Sequence, residues 1–234
     1  PVIVDTKAFL LRSKATPKAI YSCSVTRVGK QHWTKLRSKY ATALLGHNRQ
    51  IRAVQIALTL VGTSGAGPNI TVDPLHAAQV ESLVNLRRRV SQRPEWQDNI
   101  RILHHRATQR GVRKGGPTDI AYATVQELGW EWPVWDVFHR QDLPPLPLHK
   151  GPFQHFKDAV RIAAKQKGRL LASHRRKDTK GCHLRDQDAT TALLRSSTIT
   201  DRQQGFLQII LVGASWHAKA FKAAGLLDHP NCPW

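Results

Sequence analysis

The groups in this sequence whose types and spacing could do chemistry are few, and their neighbours disarm most of them. Asp186 and Asp188 in RDQDATT form a D-x-D, but no adjacent Asp-Asp occurs anywhere. The paired-carboxylate metal site of nucleotide-transfer enzymes is therefore not expected. Both aspartates stand just ahead of a helical pattern and read as capping residues. The glycine-rich GTSGAGPN (residues 62–69) lacks the Lys-Ser/Thr of a phosphate-cradling loop and does not open a helix directly, so it reads as a loop. GASWHA (213–218) lacks the second glycine of a nucleophile elbow. His104-His105 and Cys182-His183 have no companion ligands at zinc-finger spacing and read as structural. No catalytic residue is assigned.

The chain ends in HPNCPW, which looks like the first half of a C-x-x-C knuckle with Cys232 in place. One thiolate cannot hold a tetrahedral zinc ion, so Cys232 is a candidate ligand only in a longer chain. No cofactor is expected within these 234 residues, although Zn²⁺ could belong to a full-length protein. The chain carries no Met and begins at Pro1, and both ends read as cut from something longer.

Binding is the stronger signal. The chain carries 36 Lys and Arg against 16 Asp and Glu, a net charge of +20. Such an excess fits a polyanion, because each phosphate neutralised by a cation releases condensed counterions. The charge is clustered. Residues 84–116 hold nine Lys or Arg against two acids, and residues 157–185 hold ten against two. The expected nucleic-acid-binding residues are Lys35, Arg37 and Lys39; Arg87, Arg88, Arg89, Arg101, Arg106, Arg110 and Arg113; and Lys165, Lys167, Arg169, Arg175, Arg176 and Lys177. The partner would be RNA, DNA or an RNA–DNA hybrid; the alternative is a merely solvated basic face. No small-molecule substrate is evident. Cys23, Cys182 and Cys232 are odd in number and far apart, which suggests a reducing, intracellular setting, nucleus or cytoplasm. No apolar run reaches the roughly 18 residues of a membrane span, so a soluble chain without a membrane partner is expected.

These cations need elements to position them. KQHWTKLRSKYATALLG (30–46) repeats Trp33, Leu36, Tyr40, Ala43 and Leu44 at helical spacing and stops at Gly46. RQIRAVQIALTLVG (49–62) places Ile51, Val54, Leu58 and Val61 on one stripe. Asp73 then N-caps a long helix with Pro74 in its first turn and an apolar face of Leu75, Leu83, Leu86 and Val90. The next segment sets Trp96, Ile100, Leu103 and Ala107 on one face, and TDIAYATVQELG (118–129) gives a shorter helix. WEWPVWDVFHR alternates as a strand or hairpin arm interrupted by Pro133. Its Trp130, Trp132 and Trp135 read as core or an interdomain seam rather than base-stacking groups, since no Lys or Arg is interleaved with them. Pro144, Pro145 and Pro147 make residues 141–152 an extended linker, separating a helical unit (1–140) from a basic helical unit (153–234). Phe153, Phe156, Val160, Ala163 and Leu170 mark a long basic helix, and Thr200 and Gln203 sit at capping-box positions. The fold class is mainly α, helical-bundle segments with a small β element near residues 130–138.

The order of these features resembles a known arrangement. KATPKAIYSCSVTRVGKQHWTKLRSKYATALLGHNRQIRAVQIALTLVG is similar to the segment after the polymerase palm in non-LTR (LINE-type) retrotransposon reverse transcriptases. There a P-x-A-x-Y-G turn precedes a Leu-Arg-rich helix; Pro17, Ala19 and Tyr21 fit the turn, with Ser22 in place of Gly. DPLHAAQVESLVNLRRRV and GGPTDIAYATVQELGWEW resemble the segments that follow. WHAKAFKAAGLLDHPNCPW resembles the approach to the Cys-rich knuckle, with His229 where Ser is usual. The resemblance implies a thumb-like domain and a basic post-thumb linker leading to a truncated zinc knuckle. It implies a fragment of an RNA-directed DNA polymerase polyprotein that grips the template-primer duplex while the palm, outside this chain, does the chemistry. The competing expectation is a basic structural RNA-binding subunit of an organellar ribonucleoprotein.

Overall fold

The structure, a computed structural model, describes residues 4–46, 53–59, 70–110, 116–175, 192–193, 196–200, 203 and 207. It is mainly helical with one three-stranded antiparallel sheet. The chain opens with α1 (Val4–Leu10), which continues through a π-helical turn (Leu11–Ala15) into α2 (Thr16–Ala19). Thr16 Oγ1 donates to the Leu11 carbonyl five residues back at 2.8 Å, which suits the widened turn. Pro17 lies inside α2, and the turn begins only at Ile20. α3 (Lys30–Leu45) ends at Gly46, whose N–H makes the last i→i−4 bond, to the Thr42 carbonyl at 2.7 Å, and whose φ of +89° then turns the chain out of the helix. α4 (Val54–Thr59) is buried at every position after Val54, so the expected stripe is instead a helix enclosed on nearly all sides. Ile51 and Val61 lie outside the described residues.

α5 (Pro74–Gln92) is the central helix. Asp73 caps it, accepting from the Leu75 N–H at 3.0 Å, with Pro74 in the first turn as the sequence predicts. Eleven of its nineteen residues are buried, too many for a one-sided surface helix. It packs against α3, α7 (Pro117–Leu128) and α8 (Phe153–Arg175). A 3₁₀ turn at Pro94–Trp96 leads from α5 into α6 (Gln97–Arg110). The face that α6 buries is Ile100, His104 and Ala107, leaving Trp96 and Leu103 exposed. The rotation follows from His104, whose Nε2 meets the Trp132 carbonyl at 2.8 Å while its ring lies 4.8 Å from the indole. α7 closes with Gly129 at φ +77°: the Gly129 N–H bonds Gln126 O and the Trp130 N–H bonds Val125 O, both at 3.0 Å.

The sheet is a meander, β1 (Glu131–Val134), β2 (Val137–Arg140) and β3 (Leu143–Pro147), in that order. Glu131 pairs with His139, Val134 with Val137, and Phe138 with Leu146. All four prolines fall on the edge strands, where a missing N–H costs no central ladder bond, and β2 has none. The stretch read as a linker is extended, as its prolines require, but it carries β3 and sends Leu146 and Leu148 into the core. Trp130 and Trp132 are buried around Phe138, which contacts Trp132 edge-on at 5.2 Å and Phe156 at 6.1 Å. The tryptophans are thus core groups, and Trp135 is half-buried against them. One apolar cluster joins α5, α6, α7, the sheet and the first half of α8; a second joins α1, α3, α4 and Ala172. α8 therefore contributes to both. Near the end of the chain, Thr200 and Gln203 make the reciprocal capping box, Gln203 N–H to Thr200 Oγ1 at 3.3 Å and Thr200 N–H to Gln203 Oε1 at 2.8 Å.

Candidate nucleic-acid interface

Burial divides the expected cations into two groups. Arg37 reaches from α3 to Asp73, with Nη2 at 2.6 Å and Nε at 3.0 Å from the carboxylate. Asp73 is fully buried, so this fork holds a buried charge. Arg87 is 4 % exposed, and its guanidinium donates to the carbonyls of Pro147, Lys150 and Gly151 at 3.3, 3.1 and 2.5 Å while stacking 4.8 Å from Phe156. It ties α5 to the end of β3, and burial lowers its pKa. Lys165 is buried on α8, near enough to His76 to act on its charge. Lys167 is half-buried, with Nζ 3.7 Å from where a Cβ on Gly129 would stand, beside the C-terminal end of α7 that favours a cation. Arg169 is half-buried on α8.

The second group faces water. Lys35 and Lys39 are exposed along α3. Arg88 is exposed, lies 5.4 Å from the Phe153 ring, and meets Asn85 at 3.2 Å and Glu81 at 3.6 Å. Arg93 and Arg101 have only loose acidic neighbours, Glu95 at 3.7 Å and Asp98 at 3.9 Å, in pairs that water screens. Arg106 is exposed on α6. Side chains of Arg110 and Arg175, and all of Arg113, Arg176 and Lys177, lie outside the described residues.

Two hollows adjoin this face. The first, about 460 Å³, lies between the end of α5, α6 and the start of α7. Arg89, Trp96, Leu103 and Arg106 line it, and no acid does. Arg89 sits 5.9 Å over the Trp96 ring, and Trp96 is 40 % exposed. An aromatic plate flanked by two arginines can stack a base and neutralise its phosphate. The second, about 680 Å³, lies where α2 and the π-helical turn meet α5 and α8, and is lined by Arg12, Tyr21, His76, Glu81, Lys157 and Arg161 among others. Arg88 meets Asn85 and Glu81 in the wall of this second hollow. The described parts of the two basic runs that lie on α5 and α8 share one helix–helix packing.

Trp96 and Leu103 are the members of this face that sequence reasoning misplaced on the buried stripe of α6; for Trp96 the available signal is its place in the Pro-initiated 3₁₀ turn, ahead of the helix itself. Among the described residues, no group of three His, Cys, Asp or Glu could hold a metal ion, and Cys182, His183, His229 and Cys232 lie outside them. No described helix is long and apolar enough to cross a membrane. Comparison with protein-family models, curated proteins and solved structures finds no match to this chain.

Proposed function

We propose that this chain is a non-catalytic nucleic-acid-binding segment whose contact surface is the basic face formed by the end of α5, α6 and the first turns of α8. The carrying observation is the hollow of Arg89, Trp96 and Arg106, an aromatic plate with two cations and no acid. Around it Arg88, Arg93 and Arg101 project to solvent with at most weak partners. Backbone phosphates would be held by these side chains without reading sequence, since none is positioned by a rigid hydrogen-bond frame for base edges. The ligand is RNA, DNA or an RNA–DNA hybrid. The resemblance to LINE-type reverse transcriptases supports the hybrid and a thumb-like role, with polymerisation performed by a palm outside this chain.

The test is fluorescence anisotropy of a labelled RNA–DNA hybrid, an RNA duplex, a DNA duplex and a single-stranded RNA across a salt series. Affinity should fall steeply with salt and differ little between sequences. Trp96→Ala should weaken binding to single-stranded RNA by about tenfold, the value of one stacked base. Arg101→Gln should lower the salt dependence without changing sequence preference. Binding that ignores both salt and these substitutions would overturn the assignment.

A further inference from the structure

The 680 Å³ hollow between α2, α5 and α8 contains groups that the fold leaves unused. His76 is buried, and its Nε2 lies 3.6 Å from the Asp73 carboxylate, which favours the ring proton on that side. Its Nδ1 is then a hydrogen-bond acceptor, buried and without a partner among the described residues. Burial keeps the ring neutral, lowering its pKa against the pull of Asp73. Arg12 Nη1 is likewise buried and unpartnered, although Asp5 lies near enough to act on its charge. A buried polar atom without a partner is costly, so two in the walls of one hollow suggest a ligand that satisfies both. Lys157 and Arg161, one helical turn apart on α8, add two half-buried cations, Arg161 sharing its charge with Asp158 at 3.1 Å. Tyr21, 90 % exposed at the rim, supplies an aromatic face that no described residue covers.

We propose that this hollow binds one unpaired nucleotide, its phosphate on Arg12, Lys157 and Arg161 and its base between Tyr21 and the acceptor at His76. Glu81 and Asn85, which line the same wall of α5, add an acceptor and an amide for a base edge. Cations, an aromatic plate and an unpartnered acceptor within one volume match a nucleoside monophosphate unit better than a bare anion, which would leave the His76 acceptor unused. The inference rests on the basic face, because Arg88 of that face meets Asn85 and Glu81 in the wall of the hollow. The unpaired nucleotide would be the end of a strand whose duplex lies along α5 and α8.

The full chain should be titrated by calorimetry with adenosine 5′-monophosphate, adenosine and inorganic phosphate, then with an RNA–DNA hybrid that is blunt or carries one unpaired terminal nucleotide. The monophosphate should bind at least about tenfold tighter than adenosine or phosphate, and Tyr21→Ala should remove about tenfold of that. Lys157→Ala with Arg161→Gln should bring the monophosphate down to the level of adenosine. The hybrid with the unpaired nucleotide should bind tighter than the blunt one, and Tyr21→Ala should abolish the difference. A monophosphate that binds no tighter than phosphate, or hybrids that bind equally, overturns the proposal; if both hybrids still bind with steep salt dependence, the basic face stands without it. Monophosphate binding with neither hybrid bound assigns the hollow to a free nucleotide and overturns the basic-face reading instead.

Discussion

At the scale of single residues, type and position separate. Arg37, Arg87 and Lys165 are cations by type and scaffold by position, and a linear sequence shows only type. Removing the Arg37 side chain leaves the fully buried Asp73 carboxylate without its fork, so Arg37→Ala should cost roughly 3 kcal/mol of unfolding free energy in urea titrations. His76 gives a pH signature. Around it stand Asp73 on its own helix, Arg37 from α3 and Lys165 from α8, and burial holds its pKa below the ordinary value of about 6.5. As pH falls through that value, the unfolded chain takes up a proton that the folded chain refuses. Stability is therefore lost toward acid, by up to about 1.4 kcal/mol per pH unit while the two states differ by one proton. His76→Gln should flatten the dependence of stability on pH below about 6.5; an unchanged slope would place the titration elsewhere. What was legible at this scale was Asp73, because an N-cap followed by Pro is a local signal.

At the scale of elements, the helices were legible wherever their apolar spacing was regular and their ends carried Asp, Pro or Gly, as in α3, α5, α7 and α8. The misread faces have long-range causes. α4 is enclosed by neighbours distant in sequence, α6 is turned by the contact of His104 with Trp132, and β3 forms because β2 offers a free edge to a proline-rich chain. The opening helix and its π-helical turn gave no strong periodicity, so the wall that carries Arg12 and Tyr21 was invisible before the fold was known. The α5–α8 packing has its own test at Gly168, where an added Cβ would lie 2.8 Å from His76 Nε2 and 2.9 Å from Cε1. Alanine is favoured over glycine in a helix by about 1 kcal/mol, yet Gly168→Ala should destabilise by about 1–3 kcal/mol because the buried ring has to move. In a His76→Ala background the same substitution should become stabilising, as thermal unfolding of the four chains would show.

At the scale of the whole molecule, the charge of +20 is what composition could read, and the fold adds a division of labour. Some cations fasten the elements together, while Arg88, Arg93, Arg101 and Arg106 stay in water around an aromatic plate. A net-charge count cannot make this distinction, since both kinds of arginine contribute equally to it. The distinction matters for salt: only cations free to replace counterions at phosphates contribute to the slope of log affinity against log salt, at about 0.9 per contact on duplex DNA. The most direct measurement is that slope for a mixed-sequence duplex, in the native chain and in Arg93→Gln/Arg101→Gln/Arg106→Gln. The native slope should be steep and should fall by about 2–3 in the triple variant, with no change in the chain's fold by circular dichroism. A flat slope, or a triple variant that binds with the native slope, would contradict that division of labour.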